Sequence, residues 1–186
     1  PSRSILLTND ITGVLRSAQT SNSFFVWAST PLAASMTITT PSALEAVVSR
    51  EFRAPAALVF EAVTKADLIK RWYAPGQLES CESDPRVGGA WRFGMKIGDT
   101  RMAKYGVYTE IDPPRRFART ERYEGWDIGE ILMTVDLVER EGTTVLTQRF
   151  LFPTQEVRDT ILKMGLTPQA MSAFYARLES LLGSMA

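Results

Sequence analysis

Tyr73, Tyr105, Arg119, Glu121 and Tyr123 are the side chains in this sequence best suited to polar chemistry inside an apolar interior. A carboxylate beside phenols is the raw material of proton transfer, provided burial raises its pKa toward neutrality. Glu121 is therefore the one catalytic candidate, with a tyrosine as partner, and no residue is assigned a catalytic role outright. Arg119 and Glu121 lie two residues apart in a strand-like run. If both point inward they are expected to pair, because a buried charge without a partner is costly. If both point outward they are an ordinary solvated face.

Other chemistry is excluded by residue type. The chain has no histidine, which removes Ser-His-Asp triads, HExxH zinc sites and histidine bases. Its one cysteine, Cys81, can form neither an intramolecular disulfide nor a multi-thiolate zinc site. Cys81 reads as a small buried hydrophobe, and a lone thiol suits a reducing, cytoplasmic setting. No cofactor and no metal are expected. Lys and Arg number 21, as do Asp and Glu, so the formal net charge is zero. A neutral chain has no general electrostatic grip on nucleic acid or on an anionic membrane. No apolar run reaches the ~18 residues that suggest a membrane span. Gly88-Gly89 reads as a turn without a phosphate-loop context, and Arg115-Arg116 as a solvated turn.

The elements that must position these groups follow from periodicity. Glu45 to Arg53 alternates as a first strand. Two short helices follow, broken at Thr64–Ala66. Pro55 suits the start of the first, Asp67 can cap the second, and Pro75-Gly76 stops it. Leu78 to Asp84 reads as a strand. Trp91, Phe93 and Met95 alternate with Arg92, Gly94 and Lys96 in another, and Gly98-Asp99 marks a hairpin. Met102–Ile111, Arg116–Arg122, Ile128–Arg140 and Thr143–Phe152 continue an antiparallel meander, with Asp112-Pro113-Pro114 as a breaker. A helix over Gln155–Met164 precedes the last helix, which opens with Thr167 as N-cap and Pro168 at the first position. Met171, Phe174, Leu178 and Leu181 form its apolar stripe, widened by Tyr175 and Leu182.

Residues 1–41 differ in composition, being rich in Ser and Thr and carrying only Arg3, Asp10 and Arg16 as charges. They are expected to be an N-terminal extension, either a leader or a non-native addition, with Met36 opening a native-like start. Phe24-Phe25-Val26-Trp27 is a short apolar patch suited to docking on a neighbour or into the protein's own groove. Residues 42–186 are expected to form one domain.

The order strand, two helices, six strands, long helix resembles the START-like, Bet v 1-type superfamily, also called SRPBCC. Within it the chain is similar to the branch named for the C-terminal domain of the activator of the Hsp90 ATPase. The matching pieces are Ala54-Pro55 with Val59-Phe60-Glu61-Ala62, Leu68 through Pro75, Val87-Gly88-Gly89-Ala90-Trp91-Arg92-Phe93, Gly106 through Arg116, Gly142-Thr143-Thr144 and Arg177 through Leu182. Together they span about residues 45–182. Two positions depart from the pattern. Gln169-Ala170 stands where many relatives carry Gly-Trp, and Glu121 where many carry an aromatic.

The resemblance implies an α+β helix-grip fold. A curved antiparallel sheet of about six to seven strands wraps the C-terminal helix, with a cavity between them. Ligand-binding candidates are then Trp72, Tyr73, Trp91, Phe93, Met95, Tyr105, Arg119, Glu121, Met133, Phe174 and Leu178. The function implied is binding of a small hydrophobic or amphipathic molecule, such as a lipid or an aromatic compound. Alternatives within the fold are a cyclase- or hydrolase-type enzyme using Glu121 and a tyrosine, and a co-chaperone-like protein that meets an Hsp90-type partner. Assembly as a homodimer is a further expectation.

Overall fold

A computed structural model describes residues 36–185. In order, the elements are β1 (Met36–Thr39), β2 (Glu45–Phe52), α1 (Ala56–Thr64), α2 (Ala66–Trp72), β3 (Leu78–Ser83), β4 (Ala90–Ile97), β5 (Thr100–Asp112), β6 (Arg116–Tyr123), β7 (Trp126–Arg140), β8 (Thr143–Leu151), α3 (Gln155–Met164) and α4 (Pro168–Gly183). The strands form one antiparallel sheet in the order β1-β2-β8-β7-β6-β5-β4-β3. β3 to β8 form a meander of adjacent strands. The α1–α2 pair carries the chain from β2 to the far edge, where β3 begins.

The sheet has eight strands, one or two more than expected. The extra one is β1, whose residues pair from Met36↔Arg50 to Thr39↔Val47, so the sheet begins ahead of residue 42. A four-residue edge strand among Ser, Thr and Pro has too few alternations to stand out. The patch Phe24–Trp27 lies outside the described residues.

Three breaks in register bend the ladder, at Leu78/Ser80, Tyr108/Glu110 and Glu121/Tyr123. Each extra residue bends its strand and increases local twist, which curls the sheet around α4. Gly106 permits a close backbone approach in the same region. A Cβ built there would sit 2.0 Å from the Thr120 carbonyl oxygen.

The inner face is apolar by alternation along β4 and β7. Trp91, Phe93 and Met95 of β4 and Ile131, Met133, Val135 and Leu137 of β7 are all buried. α4 lays Met171, Tyr175, Leu178, Leu181 and Leu182 against them. Its start is as read from sequence, with the Thr167 side chain accepting from Ala170 N and Pro168 in the first turn. Phe52 meets Tyr175 edge-on at 5.7 Å, and the Tyr175 hydroxyl donates to Gln148 Oε1 at 2.9 Å.

The helix pair is held by contacts from elsewhere in the chain. Pro55 is the N-cap of α1 rather than its first residue and offers no capping side chain. The Glu139 carboxylate instead accepts the Ala56 N–H at 2.7 Å, placing negative charge at the positive end of the helix. Lys65 is extended and separates α1 from α2. It, not Asp67, holds the N-cap position of α2, and Asp67 sits in the first turn, where its charge suits the dipole. Ser83 Oγ donates to the Thr64 carbonyl at 2.7 Å, tying the break to β3.

Candidate functional site

The inner face of the sheet and α4 do not close on each other. Between them lies a cavity of about 350 Å³, with α3 and the α3–α4 connection along its rim. That volume falls in the range of small-molecule sites. A smaller inner space of about 40 Å³ shares Tyr73, Arg119, Met133, Gln148 and Phe174 with it. The inner space is of water size, so any larger guest belongs to the outer cavity.

The sequence candidates divide into three groups. Tyr73, Arg119, Met133 and Phe174 line both spaces, Met95 and Glu121 the outer, and Trp72 and Phe93 the inner. Trp91 and Leu178 are fully buried in the core and line neither. Tyr105 is on the outer face of the sheet, 38% exposed, with the Arg92 guanidinium 6.0 Å from its ring. The period of two explains this: Met102 and Lys104 face the cavity, so Tyr105 and Val107 must face away.

The aromatic wall is a continuous cluster of edge-to-face and tilted rings. Phe174 of α4 meets Trp72 at 4.8 Å and Tyr73 at 5.2 Å, and Tyr73 meets Phe93 of β4 at 5.1 Å. Such pairs are directional, which fixes the wall's shape beyond what area burial alone achieves. Trp72 also donates its indole N–H to the Ala62 carbonyl at 2.9 Å, locking α2 to α1.

Arg119 and Glu121 both point inward but do not pair as expected. Their side chains stand on the same face about two residue rises apart, roughly 6.6 Å, and each finds something nearer. Lys104 of β5 is in register with Tyr123, which brings its ammonium beside Glu121 at 3.6 Å. Tyr123 donates its hydroxyl to Glu121 Oε1 at 2.7 Å. The Arg119 guanidinium instead lies over Trp91, 3.9 Å from the ring centre, and 5.3 Å from Phe93. Its Nε and Nη1 are buried without a hydrogen-bond partner among the described residues.

The electrostatics follow from this arrangement. Burial pushes the Glu121 carboxyl upward, but Lys104, Arg119 and the Tyr123 hydroxyl outweigh it, and the net direction is downward. Glu121 is thus held charged, contrary to the raised pKa expected of a buried acid. Burial also works against the charge on Lys104, but Glu121 and the neighbouring tyrosines hold it well above the ordinary lysine value. Burial and the adjacent carboxylate keep the Tyr123 phenol protonated.

Lys104 and Gln148 are cavity residues the sequence did not single out. A lysine in a strand defaults to the solvent face. The usable signal was parity, since Met102, Lys104, Gly106 and Tyr108 share one face. Ala170 also lines the cavity, at a position where the resemblance leads one to expect Trp. Among the described residues there is no cluster of three or more potential metal ligands, and no helix is long and apolar enough to cross a membrane.

Comparison with known proteins agrees with this architecture. A protein from Rhodobacter sphaeroides superposes with a TM-score of 0.72 at 25% identity, covering 81% of this chain and 99% of that one. A protein from Mycobacterium smegmatis gives 0.70 at 22% identity, covering 82% and 100%. One from Staphylococcus epidermidis gives 0.70 at 22%, covering 81% and 96%. No curated protein matches the sequence. The family described as activator of Hsp90 ATPase homolog 1-like protein matches residues 53–183, which take in every cavity residue named above, and the chain belongs to that family.

Proposed function

We propose that this protein binds a small hydrophobic or amphipathic molecule in the cavity between its sheet and α4. The observation that carries this reading is the unfilled space of about 350 Å³ in an otherwise close-packed domain. Interiors normally pack without such voids, and an apolar cavity forfeits dispersion contacts along its whole lining. A guest restores them. The walls are suited to one: Ile131, Phe150, Met171 and Phe174 supply apolar surface, while Arg119, Glu121 and Gln148 supply a few polar groups.

The test is titration with Nile red, an uncharged solvatochromic dye. Saturable, one-site fluorescence enhancement is expected with the folded protein. Ala170→Trp, which places a large side chain at the cavity wall, is expected to weaken it. No enhancement with folded wild-type protein would overturn the reading.

An enzymatic role through Glu121 is less well supported. The carboxylate does line the cavity, but it is held charged and already accepts from Tyr123. This suits electrostatic positioning better than donation of a proton. A chaperone partnership has its support in the family's description alone, and binding of Hsp90 to the isolated protein is its test.

A further inference from the structure

We propose that the guest is a carboxylate with an apolar tail and that Arg119 receives its head group; this rests on the binding reading above and narrows it. Arg119 is 7% exposed, yet Nε and Nη1 of its guanidinium have no hydrogen-bond partner among the described residues. A guanidinium cannot shed its proton to escape this situation. Buried charge left unpaired is costly, and stacking on Trp91 at 3.9 Å offsets only part of the desolvation. The arrangement is what a site prepared for an anion looks like before the anion arrives.

The charges around Arg119 set the sign and size of the guest's head. Lys104, Arg119 and Arg177 line the cavity against a single carboxylate, Glu121. Lys104 is committed to Glu121 at 3.6 Å, and Arg177 donates Nε to the Trp72 carbonyl at 3.2 Å. Arg119 is the deep cation whose charge is not answered. Arg177 keeps its charge too, since a carbonyl does not neutralise a guanidinium, but it is half-buried; of these, Arg119 is therefore the one buried cation left for the guest's head, which suits a monoanion.

Gln148 provides a second donor. Its Oε1 accepts from Tyr175, which orients the amide, and its Nε2 has only the Met133 thioether at 3.2 Å. Sulfur is a weak acceptor, so this N–H is free to turn to a better one. Arg119 and Gln148 line both the inner and outer spaces. A carboxylate at that junction takes hydrogen bonds from both, and its tail extends along Ile131, Phe150 and Met171 into the outer cavity.

The experiment compares decanoate with 1-decanol, which share a chain and differ in the head. Each displaces Nile red from the folded wild-type protein at low ionic strength and at 150 mM salt. Decanoate is expected to displace at roughly a tenfold lower concentration or less, as a charge-assisted hydrogen bond predicts. The preference is expected to survive salt, since a buried pair is poorly screened. In Arg119→Gln the ratio between acid and alcohol is expected to fall toward one. If decanol competes as well as decanoate, the carboxylate assignment falls while the binding reading stands. If neither competes and Nile red itself is not taken up, both fall. Should Arg119→Gln fail to fold, the wild-type ratio decides alone.

Discussion

The guanidinium of Arg119 lies 3.9 Å from the centre of the Trp91 ring, and the same indole donates its N–H to the Thr120 carbonyl at 2.9 Å. Trp91 therefore fixes the side chain of one β6 residue and the backbone of the next. It does not touch the cavity, but it determines where the cavity's deep cation stands. If Arg119 receives a guest as proposed, guest selection and stability of the fold meet in this side chain.

Trp91→Ala is expected to cost ~3–5 kcal/mol, because it removes a fully buried indole and its hydrogen bond. For a chain of this size the melting temperature should drop by at least ~6 °C. Uptake of an apolar probe should change as well, since Arg119 loses its platform. Trp72→Ala is expected to match it in stability, because Trp72 is 5% exposed and ties α2 to Ala62. Thermal unfolding of both variants checks this, and unchanged melting in either contradicts the burial assigned to it.

Much of this framework is legible in the sequence, and the limits are specific. The alternation of Trp91, Phe93 and Met95 marks β4, and Gly98-Asp99 forms the two-residue turn between Ile97 and Thr100. Thr167-Pro168 announces the start of α4. The partner of Glu121 is not legible, because it depends on which β5 residue faces Tyr123, and inter-strand register is not written in either strand alone. The bulge between Tyr108 and Glu110 changes the parity of β5 within the strand. Ahead of the bulge, alternation separates Tyr105, which faces out, from Tyr108, which faces in and hydrogen-bonds Ser83 at 2.9 Å, but alternation alone does not say which of the two faces is the inner one.

Glu121 makes a signed prediction about pH. Its pKa in the folded protein lies below the ordinary 4.5, so its ionised form is favoured by folding. That stabilisation is fully present above 4.5 and is lost as pH falls through the folded value. Glu121→Gln removes this part of the acid slope. It also leaves Lys104 without its counter-charge, at a cost of about 1–3 kcal/mol near neutrality. Chemical denaturation at pH 7, 5, 4 and 3 is the measurement. The two proteins should converge as pH falls, and parallel curves would remove the Lys104–Glu121 interaction from the account.

Gly106 tests the close approach of β5 to β6. A methyl group there meets the Thr120 carbonyl at 2.0 Å, and backbone cannot swing aside as a flexible side chain can. Gly106→Ala is expected to destabilise by about 1–3 kcal/mol, as overpacking does. Gly183, the last residue of α4, has nothing within 4 Å of a built Cβ. Gly183→Ala is therefore expected to be neutral or to stabilise by up to ~1 kcal/mol, through helix propensity. Equal effects of the two substitutions on urea midpoints contradict the packing described for Gly106.

Cys81 reports on the integrity of the sheet beneath the cavity wall. It is 5% exposed, and burial pushes its thiol up to about 11, with Lys70 and Arg119 opposing only part of that shift. At pH 8 the thiolate fraction is then about a hundredfold below that of a thiol titrating at 9.0. Reaction with a thiol-specific reagent should be slower by at least that factor in the native protein than in denaturant. The single cysteine makes the trace a single exponential. Fast native labelling at pH 8 contradicts the burial of Cys81 where β3 pairs with β4.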